Sequence, residues 1–268
     1  MTTLNLNKII DIAYKAGEEI LKIYKFIDVE VEYKKDNSPL TEADKKAHEV
    51  IEQGLKNISN YPILSEEGKD IPYKERQNWE YFWLVDPLDG TKEFIKKNGQ
   101  FTVNIALIQK NKPVAGVVYA PALDILYYGT LNEGAYKIEK GKESKVSNSN
   151  NFDGTVKVIA SKSHLNEETT KFIENLKIHY KNVEMISIGS SLKICFVAEG
   201  KADIYPRIAP TMEWDTAAAH AILNAVKGRI VQYKEYREIY KIKKLPELIY
   251  NKKNLLNPYF IAFRENVF

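Results

Sequence analysis

The chain is nearly devoid of cysteine: Cys195 is the only one in 268 residues, which excludes an internal disulfide and any metal cage built on thiolates. With no obvious base beside it in sequence, Cys195 reads as a small buried residue on a helix. Long apolar runs are missing as well. The stretches at 81–85 and 105–108 fall far short of the roughly 20 residues that a membrane-spanning helix needs, so none is expected. Near the start, Lys8 precedes Ile9 and Ile10, but Asp11, Lys15, Glu18 and Glu19 interrupt any signal-peptide core, and the expected compartment is the cytoplasm. Nor is there an excess of one charge. The 39 basic and 36 acidic residues leave a net charge of +3, too little to argue for a nucleic-acid polymer as partner. The basic residues concentrate late, at Lys234, Arg237, Lys241, Lys243 and Lys244, but Glu235 and Glu238 dilute them and the stretch reads as a solvated face. No internal repeat and no low-complexity tract is present.

What is there is a chain of ordinary globular composition, 44% hydrophobic and 28% charged. Leu6, Ile9, Ile10, Ala13, Ile20, Leu21 and Tyr24 recur at helical spacing and predict an amphipathic first helix. After a polar break through Asp36, Asn37, Ser38 and Pro39, the T-x-x-D of Thr41 and Asp44 marks the start of a second helix with Ala43, Ala47, Val50, Ile51 and Leu55 on its apolar face. A short strand ends at Leu64. Residues 81–85 read as a buried strand that Pro87 and Gly90 end, and strands follow at 101–109, 114–119, 125–128 and 134–138. Their connections are short enough to require antiparallel neighbours. The polar stretch 141–154 is the candidate boundary between an N-terminal unit, residues 1–150, and a C-terminal one, residues 151–268. In the latter, strands at 156–160, 183–188, 202–205 and 229–231 alternate with helices near 167–176, 192–199 and 214–225. Helices flanking sheets in both halves predict a layered α/β or α+β fold.

The candidate chemistry lies in Asp86-Pro87-Leu88-Asp89-Gly90-Thr91. A carboxylate at the end of a buried strand is costly unless a cation or strong donors compensate. Pro87 and Gly90 allow a turn that swings Asp89 beside Asp86 and frees the Leu88 carbonyl as a third oxygen. Such a set, with no histidine near it in sequence, suits Mg²⁺ or Mn²⁺ better than zinc. The amides of Gly90 and Thr91, at the opening of a short helix, would face a phosphate. An equal structural reading is that Asp89 caps that helix in a tight turn. Glu66 repeats the strand-to-loop placement of Asp86 and is a candidate further ligand. Asp215 sits at the start of a helix, where an acidic residue is stabilising without any metal, and Asp44 likewise has a capping explanation.

Together, Thr41-Glu42-Ala43-Asp44, Ile63-Leu64-Ser65-Glu66-Glu67-Gly68, Trp83-Leu84-Val85-Asp86-Pro87-Leu88-Asp89-Gly90-Thr91 and Trp214-Asp215-Thr216-Ala217-Ala218 resemble the motifs of the inositol monophosphatase superfamily of Mg²⁺-dependent, lithium-sensitive phosphatases. The resemblance covers nearly the whole chain, in order. Gly90-Thr91-Lys92-Glu93-Phe94-Ile95, Gly116-Val117-Val118-Tyr119-Ala120-Pro121, Ser187-Ile188-Gly189-Ser190-Ser191-Leu192-Lys193 and Tyr205-Pro206-Arg207 are similar to its 3'(2'),5'-bisphosphate nucleotidase branch. It implies the α+β fold of sugar phosphatases, an αβαβα layered sandwich with the site between its halves. It also implies hydrolysis of adenosine 3',5'-bisphosphate to AMP and phosphate, in the nucleotide turnover of sulfur assimilation. Glu66, Asp86 and the Leu88 carbonyl would hold one Mg²⁺ and Asp86, Asp89 and Asp215 a second, with a third ion near Glu66. Thr91 and Asp44 would orient the attacking water, and Glu66 would share in catalysis. Gly90, Thr91, Ser190, His164, Lys193, Arg207 and Asp215 would contact the substrate. Members of the branch can associate peripherally with the inner membrane. The basic stretch 233–245 is longer than the resemblance leads one to expect.

Two other functions stand beside this one. An inositol monophosphatase or broad sugar-phosphate phosphatase would not need Lys193 and Arg207 as an anchor for a second phosphate. A non-catalytic nucleotide sensor could dispense with Asp44, Glu66 and Thr91.

Overall fold

A computed structural model describes residues 5–26, 39–147, 154–160, 166–233, 239–265 and 267. The first helix, α1 (Leu6–Tyr24), buries Leu6, Ile9, Ile10, Ala13 and Ile20 of the stripe that its sequence spacing predicts, with Ala16 beside them, while Leu21 and Tyr24 are half-buried. Its partner α2 (Pro39–Ile58) turns Ala43, Ala47, Ile51 and Leu55 inward, all fully buried. This helix begins two residues before Thr41, with proline in the first turn, where its missing N–H costs nothing. Asp44 is therefore inside the helix and not part of a capping box.

Seven strands form the first sheet: β1 (Ile63–Ser65), β2 (Tyr81–Asp89), β3 (Thr102–Gln109), β4 (Lys112–Ala120), β5 (Ile125–Thr130), β6 (Gly134–Glu139) and β7 (Lys142–Lys145), neighbours in that order. The β1–β2 pair is parallel and the others antiparallel, as the short connections from β3 onward require. Short α3 (Tyr73–Arg76) lies between β1 and β2, and α4 (Thr91–Ile95) follows β2. Both faces of this sheet are covered, which is why its central strands are apolar without alternation. Trp83, Val85, Ile105, Leu107, Val117 and Tyr119 face α1 and α2. Phe82, Leu84, Ala106, Ile108, Val118 and Tyr127 face the opposite way. The strand β7 was not predicted; its sequence Lys-Glu-Ser-Lys is exposed throughout and offers no apolar period, so only pairing with β6 makes it a strand.

The second sheet is built from β8 (Thr155–Ile159), β9 (Asn182–Ile186), β10 (Ile204–Arg207), β11 (Arg229–Gln232) and β12 (Phe260–Phe263), in the order β11-β12-β10-β8-β9. Helix α5 (Glu167–His179), capped by Asn166, whose side chain accepts from the Thr169 amide, closes its outer face with Phe172, Ile173 and Leu176. Between the sheets lie α6 (Leu192–Ala198) and α7 (Ala217–Ala225). The run of alanines in α7 lets it lie against β4 so closely that a Cβ on Gly116 would come 2.1 Å from the Ala218 carbonyl oxygen. The layers are thus helices, sheet, helices, sheet, helix, the αβαβα arrangement. Cys195 is buried in α6, as its surroundings in sequence suggest. A 3₁₀ helix (Ile239–Lys244) occupies part of the late basic stretch. Among the described residues, no helix is long and apolar enough to cross a membrane.

Candidate active site

Parallel pairing of β1 and β2 sets Ser65 opposite Val85, so the next residues, Glu66 just past the end of β1 and Asp86 within β2, come side by side. The Glu66 amide is still bonded to the Val85 carbonyl. Contrary to expectation, Pro87 does not end β2. The strand continues to Asp89, with a shift in register between Asp86, opposite Asn104, and Asp89, opposite Thr102. Three steps on β2 match two on β3, which is one extra residue, a bulge. Asp86 and Asp89, three apart and hence on opposite faces of a regular strand, are thereby brought to one face. The Leu88 amide donates to Asp86 Oδ1 at 3.1 Å, closing the turn. Gly90, at φ +99°, is the N-cap of α4, so Asp89 lies one residue before the cap. Thr91, exposed, is the first residue of α4.

The last acidic group comes from the far side of the chain. Helix α7 starts at Ala217, so Asp215 is not in its first turn. It lies in the preceding loop, where its Oδ2 accepts from the Met212 amide at 3.0 Å. Carboxylate oxygens of Glu66, Asp86 and Asp215 lie within 4.8 Å of one another.

These charges act on each other where Asp86 is buried, Asp89 and Asp215 are half-buried and Glu66 reaches the surface. Burial, then the charges of Asp89, Glu66, Asp215 and Asp44, holds Asp86 well above the usual carboxylate range. Burial followed by Asp89 pushes Asp215 up to about 7, against the Met212 amide and the Arg207 charge. Desolvation raises Glu66 most, a hydrogen bond with Asp86 opposes it, and Asp89 and Glu67 add to the rise. Asp44, raised to about 8 by burial and then by Glu67 and Glu66, presents a buried Oδ1 with no hydrogen-bond partner. Its helix α2 packs on α4, which carries Thr91. Elsewhere the protein neutralises buried carboxylates with its own cations, Lys252 on Glu213 and Arg264 on Asp203. Among the described residues, no lysine, arginine or histidine forms an ion pair with Glu66, Asp86 or Asp215. A cluster of hard oxygen donors left without a protein cation is the arrangement a divalent metal fits.

Of the second-half residues, Ser190 is buried at φ +52° and shares a 2.7 Å hydrogen bond with Thr102. Lys193 Nζ donates to the Ser190 carbonyl at 3.3 Å. Arg207, at the end of β10, donates through Nη2 to the Pro210 carbonyl, and its buried Nε has no partner. His164 lies outside the described residues. Sequence reasoning missed several polar residues around the cluster. Asn104 and Ser191 are bonded to each other and, through Ser191, to Asp89. Glu213, fully buried, accepts from the amides of Asn251 and Lys252 and from Lys252 Nζ, and so pins the loop that carries Asp215. Nothing in local sequence marks Asn104 or Ser191, whose partners are far away in the chain. A charged residue directly before Trp214-Asp215 was the one visible hint for Glu213.

A five-layered α+β sandwich with an acidic cluster where two strand ends meet the loop before an interlayer helix defines a phosphatase-like architecture. The chain belongs to the inositol monophosphatase family, whose model matches residues 5–261. It is 46% identical over 227 residues, 84% of this chain and 89% of the other, to the 3'(2'),5'-bisphosphate nucleotidase CysQ of Salmonella typhimurium. Over the whole chain and 97% of the other, it is 36% identical to the protein of the same name from Haemophilus influenzae. The crystal structure of CysQ from Bacteroides thetaiotaomicron superimposes with a TM-score of 0.87 at 47% identity, covering 98% of this chain and 99% of that one.

Proposed function

We propose that the protein is a 3'(2'),5'-bisphosphate nucleotidase that hydrolyses the 3'-phosphate of adenosine 3',5'-bisphosphate, leaving AMP and phosphate, with Mg²⁺ as its resident cation. The observation that carries this reading is the convergence of Glu66, Asp86 and Asp215 without a protein cation, in a chain so similar to nucleotidases over most of its length. Asp89 and the Leu88 carbonyl complete the oxygen donors for two or three ions, and Mn²⁺ suits the same ligands. When bound, such ions supply positive charge against the phosphoryl oxygens and acidify water in their coordination shell.

The chain's own residues do the rest. Asp44, with its free buried oxygen, accepts a proton from the attacking water, and Thr91 at the opening of α4 holds that water in line. Without a cation, burial and then Glu67 and Glu66 push this carboxyl up to about 8 and keep it protonated at neutral pH; a bound cation would lower it and free the carboxylate to take that proton. The charges of Lys193 and Arg207 anchor the 5'-phosphate, while Ser190, His164 and the Gly90 and Thr91 amides meet the nucleoside and the scissile phosphate. In this reading residues 1–150 supply most of the cation ligands, residues 151–268 supply Asp215 and the anchor, and the substrate lies between the two units.

The test is phosphate release from adenosine 3',5'-bisphosphate, 3'-AMP and inositol 1-phosphate, with Mg²⁺ and with a chelator. Turnover of the bisphosphate should exceed the others and vanish with the chelator. Equal turnover of inositol 1-phosphate would reject the nucleotide assignment, and release that survives chelation would reject the metal site.

A further inference from the structure

The hydroxyl of Ser191 lies where three segments distant in sequence meet. It is 2.9 Å from Asp89 Oδ2, 2.6 Å from the Asp215 carbonyl oxygen and 2.9 Å from Asn104 Nδ2, which donates to it. Ser191 and Asn104 are only 3% and 1% exposed, so water has little access to replace either partner. A serine hydroxyl carries one proton and two acceptor lone pairs. Asn104 occupies one lone pair, so the proton is left for Asp89 or for the Asp215 backbone, and the hydroxyl cannot turn away from both. The position of Ser191 is itself set tightly. It follows Ser190, held on Thr102, and Gly189, whose amide donates to Gln100 Oε1 and whose missing Cβ would meet Glu93 Cγ at 2.6 Å. Thr102 and Asn104, two apart on β3, thus present matching partners to consecutive serines.

We infer that Ser191, oriented by Asn104 and sharing its one proton between Asp89 Oδ2 and the Asp215 carbonyl, is a positioning residue that ties the Asp89 carboxylate to the Asp215 loop. The site's affinity for divalent cations then depends on a hydroxyl that is not itself a ligand. Asp89 stands at the end of a bulged strand, where its carboxylate would otherwise rotate. With Oδ2 held, the carboxylate keeps one orientation beside Glu66, Asp86 and Asp215, whose proton affinities its charge raises, and the cost of ordering the side chain is met by the fold and not by cation binding. This inference rests on the cation-dependent reading of the site.

Manganese is the probe, titrated into the metal-stripped protein and followed by its paramagnetic resonance signal, with no substrate present. Ser191→Ala should weaken binding about 10- to 100-fold, the range for loss of a group that orients a ligand. Ser191→Thr, which keeps the hydroxyl, should restore most of it, and Asn104→Ala should show a smaller loss. On an Asp89→Ala background, Ser191→Ala should add little, because residues acting through one another are not additive. Circular dichroism checks that each variant is folded; should Ser191→Ala fail that check, Asn104→Ala and Ser191→Thr carry the comparison. Wild-type protein that binds no manganese overturns the cation reading itself. Wild-type binding with unchanged affinity in Ser191→Ala, or an additive loss in the double variant, overturns this inference alone.

Discussion

Removing the cation should make this protein's stability depend on pH in an unusual direction. Asp215 rises from 3.8 to about 7 on folding, and Asp44 to about 8, chiefly by burial. A carboxyl whose folded pKa is raised holds its proton more tightly folded than unfolded. Between the two values the folded state binds more protons, so stability falls as pH rises. For Asp215 the part of that rise lying between pH 5 and about 7 corresponds to on the order of 3 kcal/mol, at about 1.4 kcal/mol per unit. Shared repulsion with Asp86 and Glu66 means that the contributions cannot simply be added. For a chain of this size, 1 kcal/mol moves Tm by about 2 to 4 °C, so the metal-free protein should melt on the order of 10 °C lower at pH 8 than at pH 5. Saturating Mg²⁺ relieves the repulsion and should stabilise strongly at pH 8 and weakly at pH 5. Asp215→Asn keeps an acceptor for the Met212 amide while removing the charge, and should raise the Tm of the metal-free protein at pH 8. Calorimetry of chelator-treated protein at pH 5, 6.5 and 8, with and without Mg²⁺, reads all of this. Metal-free stability that is flat or rising from pH 5 to 8, or a Mg²⁺ increment independent of pH, would refute the account of the cluster.

Three further outcomes are expected. Arg207→Ala should lower kcat/KM for adenosine 3',5'-bisphosphate by the equivalent of about 1.5 to 3 kcal/mol and leave 3'-AMP nearly unaffected; equal losses would make Arg207 a general electrostatic residue. Glu213→Ala removes three hydrogen bonds made by a fully buried group and leaves Lys252 without its carboxylate partner, and should destabilise by about 3 to 5 kcal/mol in urea unfolding; a loss under 1 kcal/mol would show that the loop is held by other contacts. Gly116→Ala must push α7 off β4, because its Cβ would meet backbone, and should cost about 1 to 3 kcal/mol in the same assay, with an unchanged midpoint counting against the close approach.

The helices and central strands could be read from local pattern because each buries a face along its own length. In α1 and α2 the apolar stripe is periodic, and β2 to β4 are continuous apolar runs. Where burial comes from a distant partner, pattern fails. The strand β7 has no apolar residue, β12 lies in a tail with few local signals, and α7 begins at Ala217 because the preceding loop is tied to Glu213, Leu255 and Met212.

For the site, the sequence by itself determined which carboxylates are available and that Asp86 and Asp89 flank a turn, since Pro87 and Gly90 act on their immediate neighbours. Tertiary structure alone decided the rest. The bulge against β3 put Asp86 and Asp89 on one face, parallel register brought Glu66 beside Asp86, and the loop before the interlayer helix delivered Asp215 from more than a hundred residues away. Ser191 and Asn104 acquire their meaning only there, because a hydroxyl and an amide are common side chains until burial removes water and leaves each with a particular partner.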